Sequence, residues 1–437
     1  MPRFEPFPGI RYMPPVQLDD VISPPYDVIN ASQRATLVKR SRFNSVLIDL
    51  PSLGEPDEPA NPYQHAAELL RSWQESGVLG RDPQESLYAY RMTFTDEIEG
   101  RRATLGVIGA LGVAPPGDGD VLPHENTLPK AKSDRLELLR ACRANLSPVW
   151  GLSLTDGLSK EISAAAPSVR PADQHAVDAD GVRHELWRIS DASAIEKICE
   201  AVKASPVVIA DGHHRYETAL AYAMEVRSSA GEAHGNHELV MALVVELAPE
   251  ELHVHPVHRV LTGLPEGIDP ATMFEKFFSL TESPRMARAL RDEADPFNPS
   301  ALLLDNNAMG LVTTSGAWLL HRRAEPAHAA APRGATADGS PPQSTELHDP
   351  LDDLDSAVLE AIMDALPHCE ISYKYSWKEV QSAVSSGAVQ AAVLLRPATV
   401  AQIAATAHAN RRMPPKTTYF HPKPRTGMVF RTLDNGA

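Results

Sequence analysis

The chain has 437 residues, of which 43% are hydrophobic and 22% are charged, a composition typical of a soluble globular protein with two or three domains. Its 41 basic and 57 acidic side chains give a formal net charge of −16. This charge argues against capture of nucleic acid or of an anionic membrane, because both need clustered positive charge.

Cysteine usage and hydropathy favour a cytoplasmic location. Cys142, Cys199 and Cys369 are far apart in sequence and form no CxxC pair, so neither a disulfide framework nor a zinc–thiolate site is expected. The N-terminus lacks the basic-then-apolar profile of a signal peptide. The longest apolar runs fall far short of the roughly 20 residues that span a bilayer. We therefore predict a cytoplasmic protein with no membrane partner.

The predicted elements mix helices and strands along the chain. The proline-rich first thirty residues are expected to be extended and loop-like. Residues 31–50 are predicted to form a helix and then a strand, and residues 61–79 an amphipathic helix. Next come two paired strands, "SLYAYRMTF" and "RATLGVIGALGV". Later helices are predicted in "KSDRLELLRACRANL", at 190–203, from His213 to about Ser228 and in "LDSAVLEAIMDAL"; later strands are predicted in "SPVWGLSL", "ELWRIS", "VVIA", "LVMALVVEL" and near 370–375 and 389–395.

This irregular order favours an α+β fold, with mixed sheets and packed helices, over a doubly wound sheet. Residues 322–345 have little bulky apolar content and predict a flexible linker or a loop insertion. We therefore predict a main region over 1–320 and a C-terminal α+β segment over 346–437 that packs on it.

The stretch "VVIADGHHRYETALAYA" places polar side chains where a buried strand ends and a helix begins. Asp211 and Gly212 supply turn chemistry, and the start of a helix favours an anion. Gly212 lets an anion approach the backbone, Arg215 adds a bidentate contact, and His213 or His214 adds side-chain donors. The pattern predicts a phosphate cradle. The alternative is a helix cap at Asp211 with a solvated Arg215.

A metal site is a further alternative. His213 and Glu217 lie four residues apart on the predicted helix, but the surrounding sequence lacks HExxH. The run "HVHPVHR" has the HxHxxH spacing of binuclear metallohydrolases, yet Pro256 interrupts the strand and Val257 stands where a carboxylate is expected. Surface and loop histidines are the favoured interpretation of this run.

Several other segments have an unusual polar character: "VISPPYDVI", "VLPHENTLPKAKSDRLELL", "RANLSPVWGL", "HRV" and "MPPKTTYFHPK". Together with "DGHHR" and in this order, they resemble the DUF1015 family over nearly the whole chain. That family is similar, through "DGHHR", to the ParB/sulfiredoxin-like superfamily. Members of that superfamily bind nucleotide phosphates at a helix N-terminus, and they include kinases that phosphorylate free L-serine.

The resemblance implies a ParB/sulfiredoxin-like nucleotide-binding core at about 100–265. It also implies an activity: ATP-dependent transfer of the γ-phosphoryl group to free L-serine, giving O-phospho-L-serine. The implied cofactors are ATP and Mg²⁺, and no nucleic-acid partner is expected; a homo-oligomer stays open, and the metal ligands are not assigned. The site residues are then Glu125 and Asp27 as candidate catalytic carboxylates; Asp211, Gly212, His213, His214, Arg215, Lys130, Lys132 and Arg135 as phosphate ligands; and Tyr26, His124, Thr127 and Asn145 as substrate ligands.

Each of these roles has a structural alternative. Glu125 is also placed to pair with Lys130 or Lys132, and Asp27 to form an Asx-type turn. Arg135 is also placed to pair with a surface carboxylate, and Asn145 to cap a helix C-terminus. For the whole chain, the alternatives are a non-catalytic nucleotide-binding switch of the ParB type and a metallohydrolase.

Overall fold

The computed structural model describes most of the chain. The described residues are 1–52, 59–96, 100–115, 117, 120–123, 132–167, 169–230, 235–292, 294–323, 349–363, 365–409 and 411–434. They form two compact units, unit 1 (Met1–His253 and Phe420–Ala437) and unit 2 (Val254–Tyr419). The partition predicted from composition, with boundaries near 320 and 346, is a different one and stays a prediction. Most of the predicted linker lies outside the described residues.

Unit 1 contains most of the helices and strands that the sequence predicts. Its helices are α1 (Leu18–Val21), α2 (Ala31–Arg40), α3 (Val46–Asp49), α4 (Pro62–Glu75), α5 (Lys132–Cys142), α6 (Leu158–Ala165), α7 (Ala192–Lys203) and α8 (His213–Ala230), with 3-10 turns at Tyr26–Val28 and Asn236–Glu238. Its strands before the chain enters unit 2 are β1 (Phe4–Glu5), β2 (Ile10–Tyr12), β3 (Leu79–Arg81), β4 (Leu87–Asp96), β5 (Gly100–Gly112), β6 (Val121–Pro123), β7 (Ala144–Asn145), β8 (Val149–Ser153), β9 (Gln174–Val177), β10 (Arg183–Ile189), β11 (Val207–Asp211) and β12 (Leu239–Glu246).

A mixed sheet is the centre of unit 1. Its order is β6-β11-β8-β12-β5-β4-β10-β9, and β1 pairs with β5. Strand β11 runs parallel to β6 and antiparallel to β8, while β12 runs parallel to β8 and antiparallel to β5. The two predicted strands β4 and β5 pair antiparallel. This mixture of directions, with helices packed on the sheet, confirms the predicted α+β class.

One face of this sheet forms the main core of unit 1. Alternate residues of the central strands, such as Val207 and Ile209 on β11, point into it because side chains alternate across a strand. Helices α6 and α7 cover this face with Ile162 and Ile198, and Tyr216 of α8 joins the same cluster. The predicted buried strand β12 is confirmed.

The predicted strand at the end of residues 31–50 is wrong, because Val46–Asp49 forms the short helix α3. A four-residue apolar run fits a buried helix or a strand equally well, so periodicity cannot decide. Tertiary contacts decide here: the buried Asn44 donates to Asp20 O (2.8 Å) and its Oδ1 accepts from the Val46 N–H (3.0 Å). This Asn44 turn starts a helix rather than a strand.

Unit 2 is built on an antiparallel sheet. The chain enters it through β13 (His253–His255) and leaves it through β20 (Tyr419–His421). Its strands are β14 (His258–Thr262), β15 (Phe278–Glu282), β16 (Met309–Thr313), β17 (Ala317–Arg322), β18 (Glu370–Lys374) and β19 (Ala391–Leu394). Its helices are α9 (Pro270–Phe274), α10 (Pro284–Arg291), α11 (Pro299–Asp305), α12 (Asp355–Met363), α13 (Trp377–Ser385) and α14 (Val400–His408). The sheet order is β15-β17-β16-β19-β14-β18. Hydrophobic clusters cover both faces, which explains the near-continuous apolar sequence of β19.

The chain ends in unit 1 with β21 (Arg431–Thr432), which pairs with β7. Among the described residues, no helix combines the length and the apolar composition that crossing a lipid bilayer requires.

Candidate functional site

The strand-to-helix junction that the sequence predicts is present. Strand β11 ends at Asp211, α8 begins at His213, and Gly212 between them has φ +86°. That backbone conformation favours glycine. A Cβ on Gly212 would also lie 2.9 Å from Nε of Arg215. Glycine is therefore required both by the turn and by the guanidinium group packed against it.

Asp211 lies between two cationic side chains. Its Oδ2 accepts from Nη2 of Arg215 at 2.8 Å, and its Oδ1 forms an ion pair with Nζ of Lys423. Burial acts to raise the pKa of Asp211, but the charges of Lys423 and Arg215 outweigh it and hold the pKa well below its usual range. Asp211 is therefore ionised and ties the chain's C-terminal segment to the junction.

Sequence reasoning missed Lys423. It lies at the end of "MPPKTTYFHPK", one of the segments that carry the family resemblance. Its position in that segment was the one sign in the sequence that Lys423 could belong to the site. The separation of 212 residues from Asp211 makes the pair invisible to any local pattern.

The Arg215 side chain is only 10% exposed, so the alternative of a solvated Arg215 is wrong. Besides Asp211, its guanidinium donates to the carbonyl oxygen of Pro148. Burial acts to lower its pKa, and the charge of Asp211, with smaller contributions from Asp27, Tyr26 and Asp49, more than offsets this and raises the pKa. Its Nε is buried and has no hydrogen-bond partner among the described residues.

A small cavity of ≈ 50 Å³ adjoins the first two turns of α8. Its polar lining consists of Asp49, Arg135, Asn145, Ser147, Arg215 and Thr218, and its apolar lining includes Leu138 and Leu139 of α5. Helices α5 and α8 approach each other through Leu139 and Tyr222, and this packing brings their arginines to one cavity. The Oγ1 of Thr218 is buried, and within the described part of the chain it has no partner either.

Arg135 is the second arginine of the cavity. Its Nη1 donates to the carbonyl oxygen of Asp49 (2.5 Å), its Nε donates to Asp134 (2.9 Å), and its guanidinium lies 4.0 Å from the ring centroid of Tyr26. The pairing with Asp134 therefore exists, but the Arg135 side chain is only 6% exposed. The expectation of a surface pair is wrong in that respect, because the side chain lies between Tyr26 and Asp49.

Tyr26 and Asp27 occupy a 3-10 turn, Tyr26–Val28. Burial is the main cause that raises the pKa of Tyr26 to about 12, so its hydroxyl stays protonated at neutral pH. Asp27 is exposed, and its charge contributes to the raised pKa of Arg215. The structure thus places Tyr26, Asp27, Arg135 and Arg215 in one neighbourhood.

Asp49 is a buried carboxylate that sequence reasoning missed, because "VLID" was assigned to a strand. Its Oδ2 accepts from Oγ1 of Thr426 (3.0 Å), and its Oδ1 lies 3.5 Å from Nη1 of Arg135. Burial raises its pKa, and the charges of Arg135 and Arg215 partly oppose that rise. A carboxylate inside an apolar run was itself a signal, since such groups are rarely buried without a partner.

Asn145 lines the cavity from β7. Its Oδ1 accepts from the Met241 N–H (2.9 Å) and from Nη1 of Arg431 (3.1 Å). Helix α5 ends earlier, at Cys142, so the helix C-cap alternative is wrong. The amide oxygen of Asn145 acts within the fold, joining β12 and β21.

Comparison with known proteins decides the family. The model of the family described as "Protein of unknown function (DUF1015)" matches residues 4–357. The chain belongs to the DUF1015 family.

The DUF1015 chain is also similar to solved structures. A conserved hypothetical protein from Pyrococcus furiosus is 12% identical, with a TM-score of 0.33 over 71% of this chain and 90% of that one. A free serine kinase in complex with AMP is 11% identical, with a TM-score of 0.36 over 73% and 96%. SbnI from Staphylococcus aureus, truncated at its C-terminus, is 12% identical, with a TM-score of 0.36 over 74% and 86%. A likeness at these TM-scores assigns neither a substrate nor an activity to this chain. No curated protein matches the sequence significantly.

Several predicted site residues of this DUF1015 protein lie outside the described residues or are described only in part. His124, Glu125, Thr127 and Lys130 belong to the stretch 124–131, which is outside them, and of Lys132 only the helical backbone is described. His213 and His214 open α8 and are half-buried. Their roles, with those of Glu125 and the lysines, stay predictions.

Two histidines of the run "HVHPVHR", His258 and His253, make different contacts. His258 is 2% exposed, its Nδ1 accepts from the Leu395 N–H at 3.2 Å, and burial with the charge of Arg259 lowers its pKa to about 3. It is a neutral core residue of unit 2 rather than the surface histidine that was expected. In unit 1, Nε2 of His253 pairs with Oδ2 of Asp96 at 2.8 Å.

Proposed function

We propose that this DUF1015 protein is a small-molecule kinase that transfers the γ-phosphoryl group of ATP to the hydroxyl of free L-serine. The acceptor comes from the family resemblance, and the phosphate site comes from the residues. We further propose that it acts in the cytoplasm, a location that its three free cysteines support.

One observation carries the proposal. Two buried donors, Nε of Arg215 and Oγ1 of Thr218, lack partners among the described residues, and both side chains line the same cavity beside the start of α8. Buried donors without partners cost free energy. An oxyanion at this point would receive both hydrogen bonds, and the positive end of the helix dipole and Arg135 would stabilise its charge. Phosphate is the oxyanion that this arrangement suits.

The reaction needs positioning and charge neutralisation more than covalent chemistry. The bond between the γ-phosphorus and its bridging oxygen breaks, a bond from the serine oxygen to that phosphorus forms, and ADP leaves. Arg135 and Arg215 stabilise the charge on the transferred group, while Asp211 holds Arg215 in place from its other side. Lys130 and Lys132 are proposed to contact the same phosphates.

A carboxylate must take the serine hydroxyl proton. We propose Glu125 for this role, with Asp27 as the second candidate. Asp49 suits it less, because its oxygens already accept from Thr426 and face Arg135. Tyr26, His124, Thr127 and Asn145 are proposed for the serine pocket, where Asn145 has only its amide nitrogen left to offer.

Magnesium bound with ATP would supply charge neutralisation at the phosphates and would need only one or two protein oxygens. Asp27 fits such a contact, since it is exposed and its charge acts on Arg215. Asp211 does not fit it, because two cations already occupy its carboxylate.

The test is to incubate the protein with ATP, Mg²⁺ and a panel of amino acids and to identify phosphorylated products by mass spectrometry. We expect O-phosphoserine formed only when serine is present. Glu125→Gln should keep ATP affinity and lower turnover by about 10²-fold or more. Tight ATP binding without any serine-dependent turnover would instead favour the nucleotide-binding switch. Normal turnover in Glu125→Gln would move the base to Asp27, with Asp27→Asn as the next variant.

A further inference from the structure

A second concave site lies elsewhere in unit 1 and has no role in the proposed kinase reaction. It is a cleft of ≈ 490 Å³, walled by the "PFP" segment 6–8 and reaching Arg431 of β21. Arg81 and Glu85 are exposed side chains on its lining. Its size lies within the usual range for small-molecule sites.

Arg431 is the unusual residue of this cleft. It is 2% exposed, and its guanidinium donates to Leu239 O (2.9 Å), Asn236 O (3.0 Å) and Oδ1 of Asn145 (3.1 Å). No carboxylate of the described chain lies within ion-pair distance of it, and its Nε is buried without a hydrogen-bond partner there. Burial lowers its pKa to about 10. The positive charge therefore stays at neutral pH with no ion-pair partner among the described residues, which is an expensive arrangement. The charge of Glu5 acts favourably on it from a longer distance, and the charge of Arg3 opposes that effect.

The other charged side chains of the cleft indicate which kind of ligand would neutralise the charge of Arg431. Glu5 already pairs with Arg3 through two contacts, of 2.5 Å and 3.0 Å. Arg81 and Glu85 form no ion pair with described residues. The cleft thus combines the buried guanidinium of Arg431, whose Nε alone lacks a hydrogen-bond partner among the described residues, with an exposed guanidinium and an exposed carboxylate that form no ion pair there. That set complements a ligand with a carboxylate and a nearby ammonium group, since guanidinium groups bind carboxylates in a planar, bidentate manner.

We propose that this cleft binds a small zwitterionic carboxylate, with its carboxylate directed to Arg431 and Arg81 and its ammonium group to Glu85. A hydrogen bond links the cleft to the phosphate cavity. Arg431 lines the cleft and donates to Oδ1 of Asn145, and Asn145 lines the cavity. A ligand bound at Arg431 would act on this shared hydrogen bond, and only that consequence rests on the proposed kinase function.

Binding is tested on the full chain by calorimetry, with glycine, acetate and inorganic phosphate as separate probes and without nucleotide. We expect saturable glycine binding, weaker acetate binding, and little phosphate binding at this cleft. Arg81→Gln should weaken glycine binding about tenfold, and Glu85→Gln should weaken glycine more than acetate. Arg101→Gln is the matched control, since Arg101 is exposed at the far end of the strand that contributes Ala110.

Three outcomes would overturn the proposal: no saturable glycine binding up to about 10 mM, equal binding by Arg81→Gln and the native protein, or loss of glycine binding in Arg215→Ala. The last would place the ligand in the phosphate cavity. Arg431→Gln, if it folds, should abolish glycine binding, but Arg81→Gln and Glu85→Gln test the proposal without it. Because the binding experiment contains no nucleotide, absence of glycine binding would not contradict the proposed kinase activity. Absence of kinase activity would likewise not contradict the proposed binding site in the cleft.

Discussion

Lys423 forms an ion pair with Asp211 across 212 residues of sequence. Both side chains are nearly buried, at 10% and 13% exposure, and Arg215 binds the other oxygen of the same carboxylate. The junction between β11 and α8 is thereby fixed by the chain's C-terminal segment.

Removing Lys423 should destabilise unit 1. Lys423→Met leaves the buried Asp211 carboxylate with one cation instead of two, so we expect a loss of about 2–3 kcal/mol in the free energy of unfolding. Adding Asp211→Asn should recover part of it, since the unpaired charge is gone. Urea unfolding measures both variants. Arg143→Met, which breaks an exposed pair with Asp434, is the control and should change stability by less than about 0.5 kcal/mol. An equal effect of the two single variants would contradict the buried-pair account.

Gly212→Ala should damage the site beyond its backbone strain. Alanine at φ +86° is strained, and its Cβ would press on a guanidinium that Asp211 and Pro148 hold in place. Gly181→Ala is a matched control, because Gly181 has φ +78° and open space around its Cβ position. We expect each variant to lose about 1 kcal/mol to the backbone conformation. Only Gly212→Ala should also weaken ATP binding, measured by calorimetry. Equal ATP affinity in both variants would show that the junction between β11 and α8 does not bind the nucleotide.

Thr218→Val should separate binding from stability. The Thr218 hydroxyl has no hydrogen-bond partner among the described residues, so its removal costs the ligand-free protein little or nothing. If the hydroxyl contacts a phosphate, ATP affinity should fall about tenfold. Thr406→Val is the control: that buried hydroxyl donates to Gln402 O at 2.8 Å, so about 1 kcal/mol of stability should be lost without any change in ATP affinity. Unchanged ATP affinity in Thr218→Val would count against phosphate in this cavity.

His258 should make unit 2 sensitive to acid. Its pKa is about 3 in the folded chain and about 6.5 when unfolded. Between these values the unfolded chain binds the extra proton, so stability is full above about pH 6.5 and is lost as pH falls toward 3. The loss from this one group reaches about 2 kcal/mol at pH 5. Urea unfolding at pH 7 and pH 5 should show a smaller pH dependence in His258→Asn, which keeps an acceptor for the Leu395 N–H. The same pH dependence in both proteins would refute this assignment.

The sequence by itself determined the elements that local chemistry controls. The turn at Asp211 and Gly212, the helix after it and the apolar strands β4, β5, β11 and β12 follow from propensity and periodicity, which act over a few residues. The α+β class followed from the order of these elements. The resemblance that indicated the family also rested on short segments in order, and the family match over residues 4–357 confirmed it.

Only the tertiary structure decided which polar groups meet. Asp49 joins Arg135 and Arg215 because α3, α5 and α8 converge, and Lys423 reaches Asp211 from the C-terminal segment of unit 1. Whether Arg215 is solvated or buried, and whether Asn145 caps a helix or bridges two strands, also depended on neighbours distant in sequence. The physical reason is that burial and charge pairing depend on distance in space, while periodicity and turn chemistry report only on adjacent residues.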